Sequence, residues 1–162
     1  MSSLGALSVL VVDDSQQMRA ITSAVLSGMG VGHIHEAAGA DAAVRILRTE
    51  TIDVAVVDYK MAPLNGVEFT RMVRNLPESP NRFLPIIMLT GHADRRRIFE
   101  ARDAGVTEFM VKPITAKALV ERLHAVIMRP RPFVKLSSGG YFGPDRRRAV
   151  QANAEARRRA TD

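Results

Sequence analysis

The stretch Val54-Ala55-Val56-Val57-Asp58 decides the fold, because four apolar residues, three of them β-branched, stand in a row before a carboxylate. An apolar run without polar alternation is typical of a short strand that is buried on both faces of a parallel sheet. In an open parallel α/β sheet, ligands bind in the crevice outside the carboxyl ends of the strands. The pattern therefore predicts that Asp58 lies in such a crevice.

Strand-like runs alternate with amphipathic stretches on both sides of this segment. The predicted strands cover residues 6–12, 33–37, 54–57, 85–89 and 107–111. The predicted helices cover residues 40–48, 67–74 and 93–103, or begin after the candidate N-caps Ser15 and Thr115. Strands that are separated by single helices predict a parallel α/β sheet with right-handed crossovers.

Four of the five predicted strands end in a polar residue, and taken singly such residues are more typical of turns than of active sites. They are Asp13-Asp14, Asp58, Thr90 and Lys112. Together we expect them to meet at one edge of the sheet, where three carboxylates repel each other unless a cation lies among them. An oxygen-only cluster suits Mg²⁺. With an ammonium and a hydroxyl beside it, such a cluster is suited to phosphoryl transfer onto a carboxylate.

Five motifs in chain order make the sequence resemble the receiver domain of two-component response regulators over about residues 6–128. They are Val9-Leu10-Val11-Val12-Asp13-Asp14-Ser15, Glu36-Ala37-Ala38-Gly39, Asp58-Tyr59-Lys60-Met61 followed by Asn65-Gly66, Met88-Leu89-Thr90-Gly91, and Phe109-Met110-Val111-Lys112-Pro113. The resemblance implies a doubly wound, flavodoxin-like α/β fold with five helices and five parallel strands in the order 2-1-3-4-5.

The resemblance also implies a phosphoacceptor and a cofactor. Asp58 would accept a phosphoryl group from a phosphohistidine on a histidine kinase or a histidine phosphotransfer protein. Mg²⁺ would be bound by Asp14 and Asp58 directly, by Asp13 mainly through water, and by the backbone carbonyl of Lys60. A chain of this kind catalyses only its own phosphorylation and dephosphorylation, so it is not expected to be a conventional enzyme.

A two-state switch is the third implication of the resemblance. Lys112 pairs with the phosphoryl oxygens, and Thr90 moves in to donate a hydrogen bond to them. Phe109 then rotates inward and alters the surface of the fourth helix, fifth strand and fifth helix, which binds a downstream protein. The Lys112–Pro113 bond is expected to be cis, as in similar domains.

Two positions are expected to tune the lifetime of the phosphorylated state. Lys60 lies two residues beyond Asp58, and His92 lies two residues beyond Thr90. In similar domains these two positions control how readily water attacks the acyl phosphate. A side chain as long as Lys60 is able to reach the phosphoryl group and block the in-line path of water. We therefore predict a long-lived phosphorylated state.

The C-terminal part has a different composition. Residues 129–145 are rich in Pro and Gly and are predicted to form a linker. Residues 146–162 are rich in Ala and Arg and are predicted to be a helical or disordered tail. Residues 129–162 hold nine basic and three acidic residues, which equals the whole net charge of +6. This asymmetry suggests an anionic partner for the tail.

Composition excludes several classes of protein. The 162 residues are 46% hydrophobic and 25% charged, and none is Cys, so disulfides and thiolate metal sites are excluded. The apolar run 4–12 has no basic residue before it, and about 18 consecutive apolar residues are found nowhere. We therefore expect neither a signal peptide nor a membrane span, and a cytoplasmic location.

The favoured interpretation is a standalone receiver, residues 1–128, that signals by protein–protein contact and carries a basic extension. Two alternatives stay open. One is a nucleic-acid-binding regulator that uses the arginine-rich tail, in which case binding depends steeply on salt. The other is a metal-dependent phosphatase built on the same crevice, although Lys60 occupies the place where a general acid would be needed.

Overall fold

Five parallel strands form the central sheet in the computed structural model, which describes residues 4–92, 94–136 and 140–146. The strands are β1 (Ser8–Val12), β2 (His33–Ala37), β3 (Val54–Asp58), β4 (Ile86–Thr90) and β5 (Glu108–Val111). The helices are α1 (Gln16–Gly28), α2 (Ala40–Thr49), α3 (Gly66–Asn75), α4 (Arg95–Ala104) and α5 (Ala116–Met128). The strand order β2-β1-β3-β4-β5 confirms the predicted flavodoxin-like topology.

The apolar runs explain which strands lie at the centre of the sheet. Every residue of β3 and β4 is buried, whereas the edge strand β2 has exposed or half-buried residues up to Ala37. Both predicted N-caps are confirmed. The Ser15 hydroxyl accepts a hydrogen bond from the Met18 amide, and the Thr115 hydroxyl accepts one from the Ala118 amide.

Each face of the sheet has its own hydrophobic core. The core under α2, α3 and α4 contains Phe69 and Leu84, and the core under α1 and α5 contains Leu26 and Leu119. Packing on both faces leaves the carboxyl ends of the strands as one edge where loops from β1, β3, β4 and β5 converge. No helix in the described part of the chain has the length and hydropathy needed to cross a bilayer.

A second, two-stranded sheet follows α5 and differs from the sequence prediction. Strands β6 (Phe133–Lys135) and β7 (Phe142–Pro144) pair in antiparallel fashion. Within the predicted linker, residues 129–145, two segments are therefore strands, and the aromatic residues pack instead of remaining in solvent. The rings of Phe133 and Phe142 lie 5.2 and 5.6 Å from that of Phe83, centroid to centroid. The predicted tail lies outside the described residues from Arg147 onward.

Polar contacts fix this hairpin, which the structure describes over residues 131–136 and 140–146, to α4 and β5. Arg131 Nη2 lies 3.6 Å from Glu108 Oε1, and the Arg146 guanidinium pairs with the Asp103 carboxylate. Within the hairpin, the buried Tyr141 hydroxyl donates a hydrogen bond of 2.7 Å to the Pro144 carbonyl. The hairpin is thus an added layer of the fold.

The buried side chain of Arg74 joins the hairpin to the main sheet. Its Nε and Nη1 donate hydrogen bonds of 3.0 Å to the carbonyls of Gly105 and Arg82, and its guanidinium lies 4.9 Å from the centroid of the Phe133 ring. Burial lowers the pKa of Arg74 to about 9. Gly105 has a φ of 103°, and a Cβ there would lie 3.1 Å from the Arg74 side chain, so this contact requires glycine.

Candidate functional site

The carboxyl ends of β1, β3, β4 and β5 surround a crevice of about 300 Å³. It brings together every polar residue that the sequence placed at a strand end. The lining includes Asp13, Asp14, Asp58, Lys60, Thr90, His92 and Lys112, together with Tyr59 and Arg97. The polar residues at the strand ends therefore meet in one crevice, as the strand pattern predicts.

Asp58 is a buried acceptor candidate in this crevice. It is the last residue of β3, is 5% exposed, and its Oδ1 lies 2.7 Å from Lys112 Nζ. A charge-assisted contact of this length holds the carboxylate in one orientation. Lys112 is itself positioned by its amide, which donates a 2.8 Å hydrogen bond to the Thr90 carbonyl. The peptide bond from Lys112 to Pro113 is cis, as the resemblance implies.

The three carboxylates form a site that fits a divalent cation. Oxygens of Asp13, Asp14 and Asp58 all lie within 4.8 Å of one another. Burial raises the pKa of Asp13; a hydrogen bond from the Ser15 amide lowers it, and the charge of Asp58 raises it further. The three negative carboxylates repel one another, and a site made only of oxygen ligands is well suited to bind Mg²⁺. The residues present therefore fit the ion that the resemblance implies.

Loop contacts orient the two carboxylates that follow β1. Asp13 Oδ1 accepts the Ser15 amide hydrogen at 2.9 Å, and the Asp13 carbonyl accepts a 2.8 Å hydrogen bond from Arg19. Asp14 is exposed, and its Oδ2 accepts a 3.2 Å hydrogen bond from the amide of Ala62 in the β3–α3 loop. The loops after β1 and β3 are thus tied together directly beside Asp58.

The Thr90 hydroxyl forms hydrogen bonds with the backbone of the loop that follows β4. Its Oγ1 donates to the His92 carbonyl at 3.1 Å and accepts from the His92 amide at 3.2 Å. A third contact is made by Arg97 Nη1, at 3.4 Å. Arg97 is the last of three consecutive arginines, and the sequence alone does not distinguish it from Arg95 and Arg96. The feature that could have pointed to Arg97 is its position, seven residues beyond Thr90 and in the first turn of α4.

The remaining predicted residues lie at or beyond the rim of the crevice. Lys60 and His92 are exposed and line it, which leaves their tuning role a prediction. Phe109 lies outside it, half-buried, beside a cavity of about 200 Å³ that Ile98 and Val106 also line. Phe109 therefore borders a separate cavity beside β5.

Fold and site together define a receiver domain. Residues 9–124 match the family model described as the response regulator receiver domain, and the chain belongs to that family. Among its relatives is the chemotaxis protein CheY of Pseudomonas aeruginosa, 33% identical over 123 residues, or 76% of this chain and 98% of that protein. CheY1 of Helicobacter pylori strain J99 is 35% identical over 124 residues, or 75% and 97%. A solved structure of CheY4 of Vibrio cholerae has a TM-score of 0.68 and 32% identity, covering 75% of this chain and 100% of that one.

Proposed function

We propose that this chain is a phosphoacceptor response regulator that receives a phosphoryl group on Asp58 from a phosphohistidine of a histidine kinase or phosphotransfer protein. The observation that carries the proposal is the buried Asp58 carboxylate, which lies 2.7 Å from Lys112 Nζ and next to the carboxylates of Asp13 and Asp14. Membership of the receiver family supports it. Because histidine kinases use ATP in the cytoplasm, the proposal places the chain there too.

In the transfer step, an Asp58 oxygen attacks the phosphorus atom as the bond between phosphorus and the imidazole nitrogen breaks. The imidazole nitrogen keeps the electron pair of that bond, and the new bond joins phosphorus to oxygen. Lys112 moves from the carboxylate to the phosphoryl oxygens, whose negative charge its ammonium offsets. Asp13, Asp14, Asp58 and the Lys60 carbonyl would hold Mg²⁺, which when bound supplies further positive charge to those oxygens.

Signalling then proceeds through the switch residues. The Thr90 hydroxyl turns to the phosphoryl group, the β4–α4 loop moves with it, and Phe109 turns inward. The face formed by α4, β5 and α5 carries the exposed apolar residues Phe99 and Val111, which are suited to contact a downstream protein. The nucleic-acid alternative depends on the tail beyond Arg146, so protein contact is the output that we propose.

The test of this function is magnesium-dependent phosphoryl uptake. We expect the intact mass of the protein to rise by one phosphoryl group after incubation with acetyl phosphate and Mg²⁺. The increase should vanish when EDTA replaces Mg²⁺, because the carboxylate cluster then repels the incoming anion. An unchanged mass with both acetyl phosphate and a phosphorylated histidine kinase would contradict the proposal. Steady release of phosphate from unrelated phosphate esters would favour the phosphatase alternative instead.

Lys60 gives a separate prediction about the lifetime of the phosphorylated state. Its exposed side chain lines the rim of the crevice, where it is able to obstruct water in line with the acyl phosphate. We expect Lys60→Asn to speed dephosphorylation roughly threefold to tenfold, up to about 1.4 kcal/mol in the barrier. The decay of the phosphorylated mass after removal of the donor measures this rate. The exposed Lys117 on α5 provides a control, and equal decay of Lys60→Asn and Lys117→Asn would refute the role.

A further inference from the structure

We propose that Arg97 is a positioning residue for phosphoryl binding that acts through the hydroxyl of Thr90. Its guanidinium donates to Thr90 Oγ1 and thereby makes the one proton of that hydroxyl a stronger donor to a phosphoryl group on Asp58. The inference rests on the proposed function, because it assigns a role in the same crevice. It separates Arg97 from the two arginines beside it.

The location of the guanidinium is the first observation. Arg97 Nη1 lies 3.4 Å from Thr90 Oγ1, and the guanidinium carbon lies 4.7 Å from the centroid of the Tyr59 ring. The side chain lines the crevice and is 30% exposed, whereas Arg95 and Arg96 are exposed and do not line it. A cation on an aromatic face is held in place more firmly than one in solvent.

The hydrogen bonds of the hydroxyl are the second observation. A threonine hydroxyl has one proton to donate and two lone pairs that accept. The proton now points to the His92 carbonyl, while the His92 amide and Arg97 donate to the oxygen. To bind a phosphoryl oxygen, Thr90 must redirect that proton. If Arg97 keeps donating to the oxygen, the hydroxyl proton becomes a stronger donor, because hydrogen bonds in a chain polarise one another.

The anchoring of Arg97 leaves its guanidinium able to follow Thr90. Its backbone amide donates a 2.8 Å hydrogen bond to Asp94 Oδ1, the N-cap of α4. Its Nε lies 3.9 Å from Asp94 Oδ2, which is too long for a hydrogen bond. Beneath it, the Tyr59 hydroxyl donates to Glu100 Oε2 at 3.4 Å. The helix end therefore fixes the backbone, while the guanidinium is held by the ring contact and by a long ion pair with Asp94.

The experiment compares Arg97→Met with the adjacent control Arg96→Met in the full chain. The readout is the apparent affinity for beryllium fluoride, a phosphoryl analogue, in the presence of Mg²⁺, together with the initial rate of phosphorylation by acetyl phosphate. We expect Arg97→Met to weaken beryllium fluoride binding about tenfold, the size of a lost charge-assisted hydrogen bond. Arg96→Met should match the wild type, and Arg97→Lys should recover part of the loss.

A Thr90→Val background distinguishes action through the hydroxyl from a direct or a structural effect. Without the hydroxyl, we expect Arg97→Met to change the affinity less than about twofold, because coupled residues are not additive. The inference is overturned if Arg97→Met behaves like Arg96→Met, or if the full tenfold loss persists in the Thr90→Val background. If the wild-type protein takes up a phosphoryl group, the proposed function stands even when one of these results overturns the role of Arg97. If the wild-type protein takes up none, both the proposed function and the role of Arg97 are contradicted.

Discussion

Replacing Asp58 by Asn is expected to abolish phosphoryl uptake completely. The amide has nearly the shape of the carboxylate but is a poor nucleophile, and it gives up the charged contact with Lys112 Nζ, now 2.7 Å long. It also removes one of the three carboxylates that fit Mg²⁺. The measurement is intact mass after incubation with acetyl phosphate and Mg²⁺, with the wild-type protein alongside.

The exposed Asp41 in the first turn of α2 provides the matched control for this change. Asp41→Asn removes a carboxylate of the same kind outside the crevice and should be phosphorylated like the wild type. Uptake that survives in Asp58→Asn would show that the acceptor is another group. Asp13 and Asp14 would then be the next carboxylates to replace.

Replacing Arg74 by Ala is expected to lower the free energy of unfolding by about 3 kcal/mol. The change empties space in a fully buried position and leaves the carbonyls of Gly105 and Arg82 without their present donor. It also removes the cation beneath the Phe133 ring. One term opposes the loss: burial lowers the pKa of Arg74 to about 9, so at neutral pH, below that value, the buried cation itself costs stability.

Urea denaturation, followed by circular dichroism, measures this difference at neutral pH. Arg71 lies one turn earlier on α3 and is exposed, so Arg71→Ala is the control and should change stability by less than about 0.5 kcal/mol. If the two variants unfold at the same urea concentration, the prediction is wrong. The free energy gained by removing the buried charge would then equal the free energy lost with the contacts of Arg74.

The sheet and its crevice could be predicted from sequence because their signals are local. The buried runs before Asp58 and Thr90 are continuous and apolar, which is how central parallel strands differ from an edge strand such as β2. Once the strands are parallel, topology alone brings their carboxyl ends together. Side chains from four distant segments could therefore be placed in one site without any knowledge of their contacts.

The hairpin and the role of Arg97 could not be predicted in this way, because both depend on distant contacts. Phe133 and Phe142 pack on Phe83, which lies 50 and 59 residues earlier, while the Pro and Gly around them indicate only a loop. Within the arginine run, the helical period does not tell which side chain turns towards Thr90. That depends on the angle at which α4 leaves the sheet, which tertiary packing determines.

The hairpin also changes where this receiver can be cut or joined to another protein. A recombinant fragment that ends at Met128, after α5, would lack the Phe133 ring that packs on Arg74. It would also lack the Arg146 side chain that forms an ion pair with Asp103. Such a fragment would also remove the two rings that pack on Phe83 and expose more of that side chain to solvent. Chimaeras and biosensors made from this receiver should therefore retain the chain through Arg146 at least.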